Sequence, residues 1–275
     1  MTHPARSWLF VPATRADRFA KAAASGADRI IVDLEDAVAT DEKDRARESL
    51  AGATLPDAVP VYVRVNGAGT LWFERDLAVA AGLRIAGILL PKANTADDVG
   101  RAVALLPANL AVVPIAETAA GVWNVLDVAK APNVERVAFG ALDFELDTGM
   151  RDDGGAYDFV RSRVTLASRV ARIGAPIDSV CLSIGDEAAI TTDAERGRRF
   201  GCCGKLCIHP NQVRAANTVF RPSAEEIEWA ASVLAARASR PRDAVFSHRG
   251  ALVDRPVIDR ASQIIELSAA ITDRP

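Results

Sequence analysis

The stretch IIVDLEDAV, residues 30–38, sets three carboxylates, Asp33, Glu35 and Asp36, directly behind a β-branched apolar run. Single acids follow other apolar runs: Glu117 after LAVVPI, and Asp143 after RVAFGA with Glu145 and Asp147 close behind. Acids that share one mouth repel each other unless a cation or an arginine offsets them. The three histidines, His3, His209 and His248, are too scattered for a zinc centre of two or three imidazoles. Two carboxylates, completed by water and substrate oxygens, suit Mg²⁺, or Mn²⁺. Glu117 and Asp143 each stand alone directly beyond a run and are the candidate direct ligands. Asp33, Glu35 and Asp36 would then hold metal-bound waters or orient neighbours. The competing structural account is that these acids cap the helices that follow. Arg64 ends VYVRV and carries a planar fork shaped to clamp a carboxylate, or to pair with the acids at 33–36. Asn66, Lys92 and His209 also end apolar runs, and His209, followed by Pro210, is expected to anchor a loop.

These residues need elements that aim them at one place. Eight short apolar runs recur: SWLFV (7–11), RIIVDL (29–34), PVYVRV (60–65), AGILLP (86–91), LAVVPI (110–115), RVAFGA (136–141), DSVCLS (178–183) and KLCIHP (205–210). None alternates apolar with polar, as expected of strands buried on both faces of a parallel sheet. Helical patterns separate them, and Gly26, Gly52 and Gly174 look like helix-closing glycines. Eight such units, mostly about 25–30 residues apart, point to a (β/α)8 TIM barrel, in which catalytic groups sit at the C-terminal strand ends. A doubly wound open sheet is the alternative, but no G-x-G-x-x-G follows the first run. The expected division is a barrel over 1–220 and C-terminal helices and tail over 221–275. In the second part Ser223 and Glu226 form a capping-box signature before SAEEIEWAASVLAARA. An Arg- and Pro-rich segment, ASRPRDAVFSHRG, then leads to a helix around VIDRASQIIELSAAI, which would serve as a lid or as an arm on a neighbouring subunit.

Composition narrows the partners. The 275 residues are 49% hydrophobic and 25% charged, with a formal net charge of −3. That offers no basic field for nucleic acid. No apolar run approaches the roughly 18 residues of a membrane span, and MTHPARSWLFVP has no secretory h-region, so a cytoplasmic protein is expected. Of the four cysteines, three crowd into GCCGKLC, a spacing that fits buried thiols better than disulfides or zinc.

RSWLFVP, KAAASGAD, VDLEDAV, VRVNG, LPKA, PIAETAAGV, FGALDFELDTG and GKLCIHPNQV followed by VFRPS occur in that order. Together they resemble the citrate lyase β-subunit-like branch of the HpcH/HpaI aldolase family, relatives of malyl-CoA and citramalyl-CoA lyases. The resemblance implies a metal-dependent barrel lyase, commonly trimeric, that cleaves a 3-hydroxyacyl thioester, often of coenzyme A, into an acyl thioester and a 2-oxo acid. It implies Glu117 of PIAET and Asp143 of GALDF as Mg²⁺ ligands and Arg64 of VRVNG as the clamp on the oxo-acid carboxylate. GALVDRP (250–256) resembles a segment that carries a catalytic Asp into a neighbouring subunit's site, which maps to Asp254 as the group exchanging a proton with the acyl carbon. Lys21 matches a position near the thioester's nucleotide or phosphates. This chain departs from the pattern at Ala13, where Gly is frequent, at Leu252, where Met is, and at Cys203, where Asp is. Two other outcomes stay open: a CoA-independent aldolase of the same family, and a non-catalytic thioester-binding subunit. The former usually carries a histidine base near the second strand, which is missing here.

Overall fold

The computed structural model describes residues 5–151 and 155–272. They fall into two compact units, one running to Phe220 and one from Arg221.

In the first unit eight parallel strands close on themselves. They are β1 (Ser7–Pro12), β2 (Arg29–Asp33), β3 (Val61–Arg64), β4 (Gly87–Leu90), β5 (Ala111–Ala116), β6 (Ala138–Phe139), β7 (Ile177–Asp178) and β8 (Gly204–Cys207), with Leu9 of β1 opposite Cys207. Between and after them run α1 (Phe19–Ala23), α2 (Lys43–Ala51), α3 (Phe73–Ala81), α4 (Ala96–Ala104), α5 (Ala119–Trp123), α6 (Val125–Ala129), α7 (Ala141–Thr148), α8 (Ala156–Ala171), α9 (Glu187–Arg199) and α10 (Asn211–Val219). The fold is the expected TIM barrel.

Why the runs lack alternation is visible in their packing. Trp8, Ile31, Tyr62, Leu89, Val113, Ile115, Ile177 and Leu206 fill the barrel, with the Trp8 and Tyr62 rings 4.8 Å apart. Their chain neighbours Leu9, Ile30, Val32, Val63, Ile88, Leu90 and Val112 belong to the other cluster, with the helices. Each strand therefore buries both faces. The period of two also sets where function falls. Counting inward positions forward from Ile31, Tyr62 and Ile115 reaches Asp33, Arg64 and Glu117, the first polar residues on those inward rows.

Two strands keep only two residues of the runs that announce them or of their immediate neighbours. The sixth run gives only Ala138–Phe139, because α7 starts at Ala141. The seventh gives Ile177–Asp178 instead of 178–183, since Ser179 turns aside and its hydroxyl accepts the Ala141 N–H at 2.8 Å. Leu182 beyond it is 65% exposed. Gly174 closes no helix. α8 ends at Ala171 and is capped by Arg172 in a left-handed conformation (φ 60°), and Gly174 is required by crowding. A Cβ there would lie 2.9 Å from Arg136 Cγ and 3.0 Å from the Glu135 carbonyl.

The second unit holds α11 (Ala224–Ala238), whose Ser223–Glu226 capping box is formed, and α12 (Arg255–Thr272). The Arg- and Pro-rich segment between them contains a hairpin, β9 (Phe246–His248) and β10 (Ala251–Val253). Its two-residue turn, Arg249–Gly250, has positive φ at both positions, as a type I′ turn demands. Ala230, Val233, Phe246, Val253 and Ala261 form a small core of their own.

Candidate active site

The C-terminal ends of the strands surround a cavity of about 350 Å³, lined among others by Phe10, Asp33, Asp36, Arg64, Glu117 and Asp143. Asp33 organises the entry loop. Its carboxylate accepts the N–H groups of Glu35 (2.9 Å) and Ala37 (3.1 Å), which folds LEDA back over the strand end. Lys43 supports the same loop from beneath, its buried ammonium donating to the Leu34 and Glu35 carbonyls and to Asn66 Oδ1. Asn66 in turn is held by Asp76, so it is a scaffold residue.

Register brings Arg64 beside Asp33. Nε and Nη2 bind Asp33 in bidentate fashion at 2.7 and 2.6 Å. Nη1 lies 3.0 Å from Glu35 Oε2, close but outside hydrogen-bonding alignment, and 3.5 Å from Asp36. Phe10 stacks beneath the guanidinium at 4.7 Å. Of the two roles left open for Arg64, the pairing with the acids of β2 is thus present, while the side chain still lines the cavity. Burial opposes its charge, yet Asp33, Glu35 and Asp36 more than offset this and hold the guanidinium firmly protonated.

Glu117 continues β5 and is 2% exposed. Its Oε1 accepts the Lys92 N–H at 2.7 Å, and its Oε2 lies against Gly140. Burial, together with the charges of Glu35 and Asp143, pushes its pKa up to about 8. Glu35 is likewise pushed up by burial, although Arg64 and Lys92 pull it back. Asp143 is not at a strand end but in the first turn of α7, where its side chain, 28% exposed, reaches the cavity. Capping explains neither of these two, since α7 has no side-chain cap and α5 is capped by Thr118. Glu145 and Asp147, by contrast, accept from the Tyr157 hydroxyl and the Ala119 N–H and serve the scaffold.

Lys92 is the participant that sequence reasoning noted at the end of a run but gave no role. It follows β4 with φ at 51° and donates from its ammonium to Glu35 at 2.6 Å, with Asp143 3.4 Å away. Its place after LLP was a signal, but its reach across the mouth was not readable. Lys21, exposed on α1, lines a second cavity of about 460 Å³ with Arg18, His209 and Pro210. The two cavities share Phe10, Pro12 and Ile208. His209 Nδ1 accepts the Asn211 N–H at 3.2 Å, a loop anchor. Asp254 belongs to the second unit, where its carboxylate accepts the Val257 N–H at the start of α12. All four cysteines are free, and Cys202 and Cys207 are buried.

Among the described residues no three His, Cys, Asp or Glu converge as a ready-made metal cage. What fits a hard divalent ion is the donor chemistry. Glu117 and Asp143 present oxygen alone, in a mouth with more carboxylates than cations, and Mg²⁺ commonly takes one or two protein carboxylates and keeps its remaining waters. Gly140 leaves Glu117 Oε2 the room a side chain would take.

Fold and site define a TIM-barrel enzyme with an acidic, oxygen-lined mouth. The model of the HpcH/HpaI aldolase/citrate lyase family matches residues 6–210, and the chain belongs to that family. It is 34% identical to a citrate lyase subunit beta-like protein of Deinococcus radiodurans, over 96% of this chain and 97% of the relative. It is 36% identical to a (3S)-malyl-CoA thioesterase of Cereibacter sphaeroides, over 98% and 96%. The structure of CitE from Mycobacterium tuberculosis, in complex with magnesium, acetoacetate and coenzyme A, superposes with a TM-score of 0.85 at 35% identity, covering 98% of each chain.

Proposed function

We propose that the protein is a Mg²⁺-dependent carbon–carbon lyase acting on a 3-hydroxyacyl thioester of the coenzyme A type, releasing or joining an acyl thioester and a small 2-oxo acid. One observation carries this most. Glu117, Asp143 and Arg64 line a single small cavity that shares its wall with a second one bearing Lys21 and Arg18. The first suits a compact oxo acid, and the second offers cations to the phosphates of a long thioester. The magnesium, acetoacetate and coenzyme A bound by the Mycobacterium tuberculosis relative support the same division.

Glu117 and Asp143 would hold the ion, with Asp33, Glu35 and Asp36 behind them. When bound, Mg²⁺ supplies Lewis-acid polarisation of the carboxylate and hydroxyl oxygens of the oxo-acid half. Cleavage would pass the hydroxyl proton to a carboxylate of the mouth, turn that C–O bond into a carbonyl, and leave the electrons of the broken C–C bond on the acyl α-carbon. That carbon then accepts a proton, a role we give to Asp254. Arg64 orients the oxo-acid carboxylate through the guanidinium edge that faces Glu35 and Asp36, which is a proximity contribution. We further propose a cytoplasmic homotrimer. Among the described residues no helix is long and apolar enough to cross a membrane. Leu166, Val170 and Phe159, 67%, 61% and 58% exposed, form an apolar strip on α8 suited to association.

The test is turnover of citramalyl-CoA, malyl-CoA and citryl-CoA with Mg²⁺, followed by mass spectrometry. A lyase yields an acyl-CoA with a 2-oxo acid, and EDTA abolishes it. Free CoA with an intact hydroxy acid would instead place the protein with its thioesterase relative, the second reading that the 36% identity supports. Silence across the panel overturns both.

A further inference from the structure

Lys92 has no role in the assignments above, yet it touches most of the acidic mouth. Its backbone N–H holds Glu117 Oε1 at 2.7 Å, while its ammonium donates to Glu35 Oε1 at 2.6 Å and stands 3.4 Å from Asp143 Oδ1. The other two cations nearby are already engaged. Arg64 gives Nε and Nη2 to Asp33 and turns Nη1 toward Glu35 and Asp36, and the Lys43 ammonium is spent on two carbonyls and Asn66. Among the described residues Lys92 is therefore the cation that spans from Glu35 to Glu117 and Asp143. Its side chain is 39% exposed, so it has room to swing.

We propose that Lys92 is a built-in counter-ion, seated between Glu35 and Asp143, and that a divalent cation entering the site displaces it from Asp143. The inference rests on Glu117 and Asp143 being the metal ligands. Three features support it. The contact to Asp143 is the longer of the two, so it is the one that yields, and Glu35 is in place to keep the ammonium afterwards. A lysine ammonium is a compact charge on a flexible stem and can shift without rebuilding the site, as an arginine fork could not. The grip on Glu117 is a backbone one, so a side-chain substitution leaves that carboxylate where it is. Charge repulsion between the ammonium and the incoming ion then sets metal affinity below what the carboxylates alone would give.

The experiment is a Mn²⁺ titration followed by electron paramagnetic resonance on the full-length protein stripped of metal, for wild type, Lys92→Met, Lys92→Gln and Asp143→Asn. Removing the ammonium is expected to tighten Mn²⁺ binding by about tenfold or more at low ionic strength, and by less as salt is added. A lysine that merely braces the site predicts the opposite sign. Unchanged or weakened binding in Lys92→Met overturns the proposal, and Lys92→Gln, which keeps a hydrogen-bond donor without charge, decides it should the Met variant not fold. Asp143→Asn separates the two levels. If it binds Mn²⁺ as wild type does, the ligand assignment fails, whereas loss of binding there with no change at Lys92 defeats the counter-ion proposal alone.

Discussion

Gly140→Ala is the substitution whose consequence is most directly written in the geometry. The residue has φ −109° and ψ 89°, so backbone conformation does not itself demand glycine. The demand is steric. A Cβ would sit 2.4 Å from Glu117 Oε2, 2.6 Å from Glu117 Cβ and 3.1 Å from Ile115 Cγ2. Comfortable contacts between heavy atoms lie at about 3.5–4.0 Å, so the carboxylate must retreat by roughly 1 Å. Rotation relieves the first clash but not the second, because Glu117 Cβ is fixed by β5. The strands must part. Overpacking of this kind costs about 1–3 kcal/mol, and the double clash puts Gly140 at the upper end. For a domain of this size that lowers Tm by roughly 5–10 °C. A 1 Å displacement of a metal-holding carboxylate should also cut kcat/KM by about 100-fold. Differential scanning calorimetry in EDTA measures the first, turnover of the thioester that wild type cleaves measures the second, and a Mn²⁺ titration reports on the displaced carboxylate. Gly100→Ala is the control, since nothing lies within 4 Å of the added Cβ in the middle of α4. It should raise stability by about 0.5–1 kcal/mol. A Gly140→Ala protein that melts and binds metal like wild type would refute the claim that Gly140 exists to seat Glu117.

Three other expectations follow from the same structure. Glu117 binds its proton more tightly in the folded than in the unfolded chain, with a pKa of about 8 against 4.5. Metal-free stability should therefore fall as pH rises through that window. Glu117→Gln removes the slope, stabilises the EDTA-treated protein at pH 8 by a few kcal/mol at most and abolishes the Mg²⁺-induced rise in Tm. A less stable variant under those conditions contradicts this. Asp178 is fully buried between Arg161 (2.8 Å) and Lys205 (3.4 Å). Burial alone would raise its pKa, but Lys205 and Arg161 hold it below the ordinary 3.8. Its contribution is present above that pH and lost as pH falls through the folded value. Asp178→Asn, leaving two cations buried, should cost about 3–5 kcal/mol in urea unfolding at pH 7, with the gap to wild type closing in acid. Arg64→Lys should weaken 2-oxo acid binding at least about tenfold, because a point charge cannot both hold Asp33 in bidentate fashion and meet a substrate carboxylate. Calorimetric titration with oxaloacetate and Mg²⁺ giving unchanged affinity would demote Arg64 to a partner of Asp33.

The barrel was legible because each strand buries both faces and so reads as an unbroken apolar run. The acids were legible because they interrupt that pattern at the strand ends. The short strands β6 and β7 were not, since DSVCLS looks apolar throughout while only Ile177 and Asp178 pair within the sheet. What removes residues 179–183 from the strand is a contact distant in sequence, Ser179 with Ala141. The same kind of signal hid the division of labour among charges. That Asp33 and Arg64 face each other is a matter of register, and that Lys92 spans from Glu35 to Asp143 depends on a left-handed residue after β4.

That division of labour makes chemical sense of IIVDLEDAV. A buried carboxylate costs stability unless it is paired, and a mouth that must take up a divalent cation cannot pair every acid in advance. Asp33 is fully committed, to Arg64 and to two loop N–H groups, and it fixes the shape of the entry loop. Glu35 is held by hydrogen bond through Lys92, a partner that can move, with Arg64 Nη1 3.0 Å from its other oxygen. Asp36, with a side chain 59% exposed, is left largely to water. Glu117 accepts the Lys92 N–H, and its burial beside Glu35 and Asp143 shows as a raised pKa. The acids thus grade from fixed to uncompensated along the line from β2 to β5, and the uncompensated end is where a cation gains most by binding.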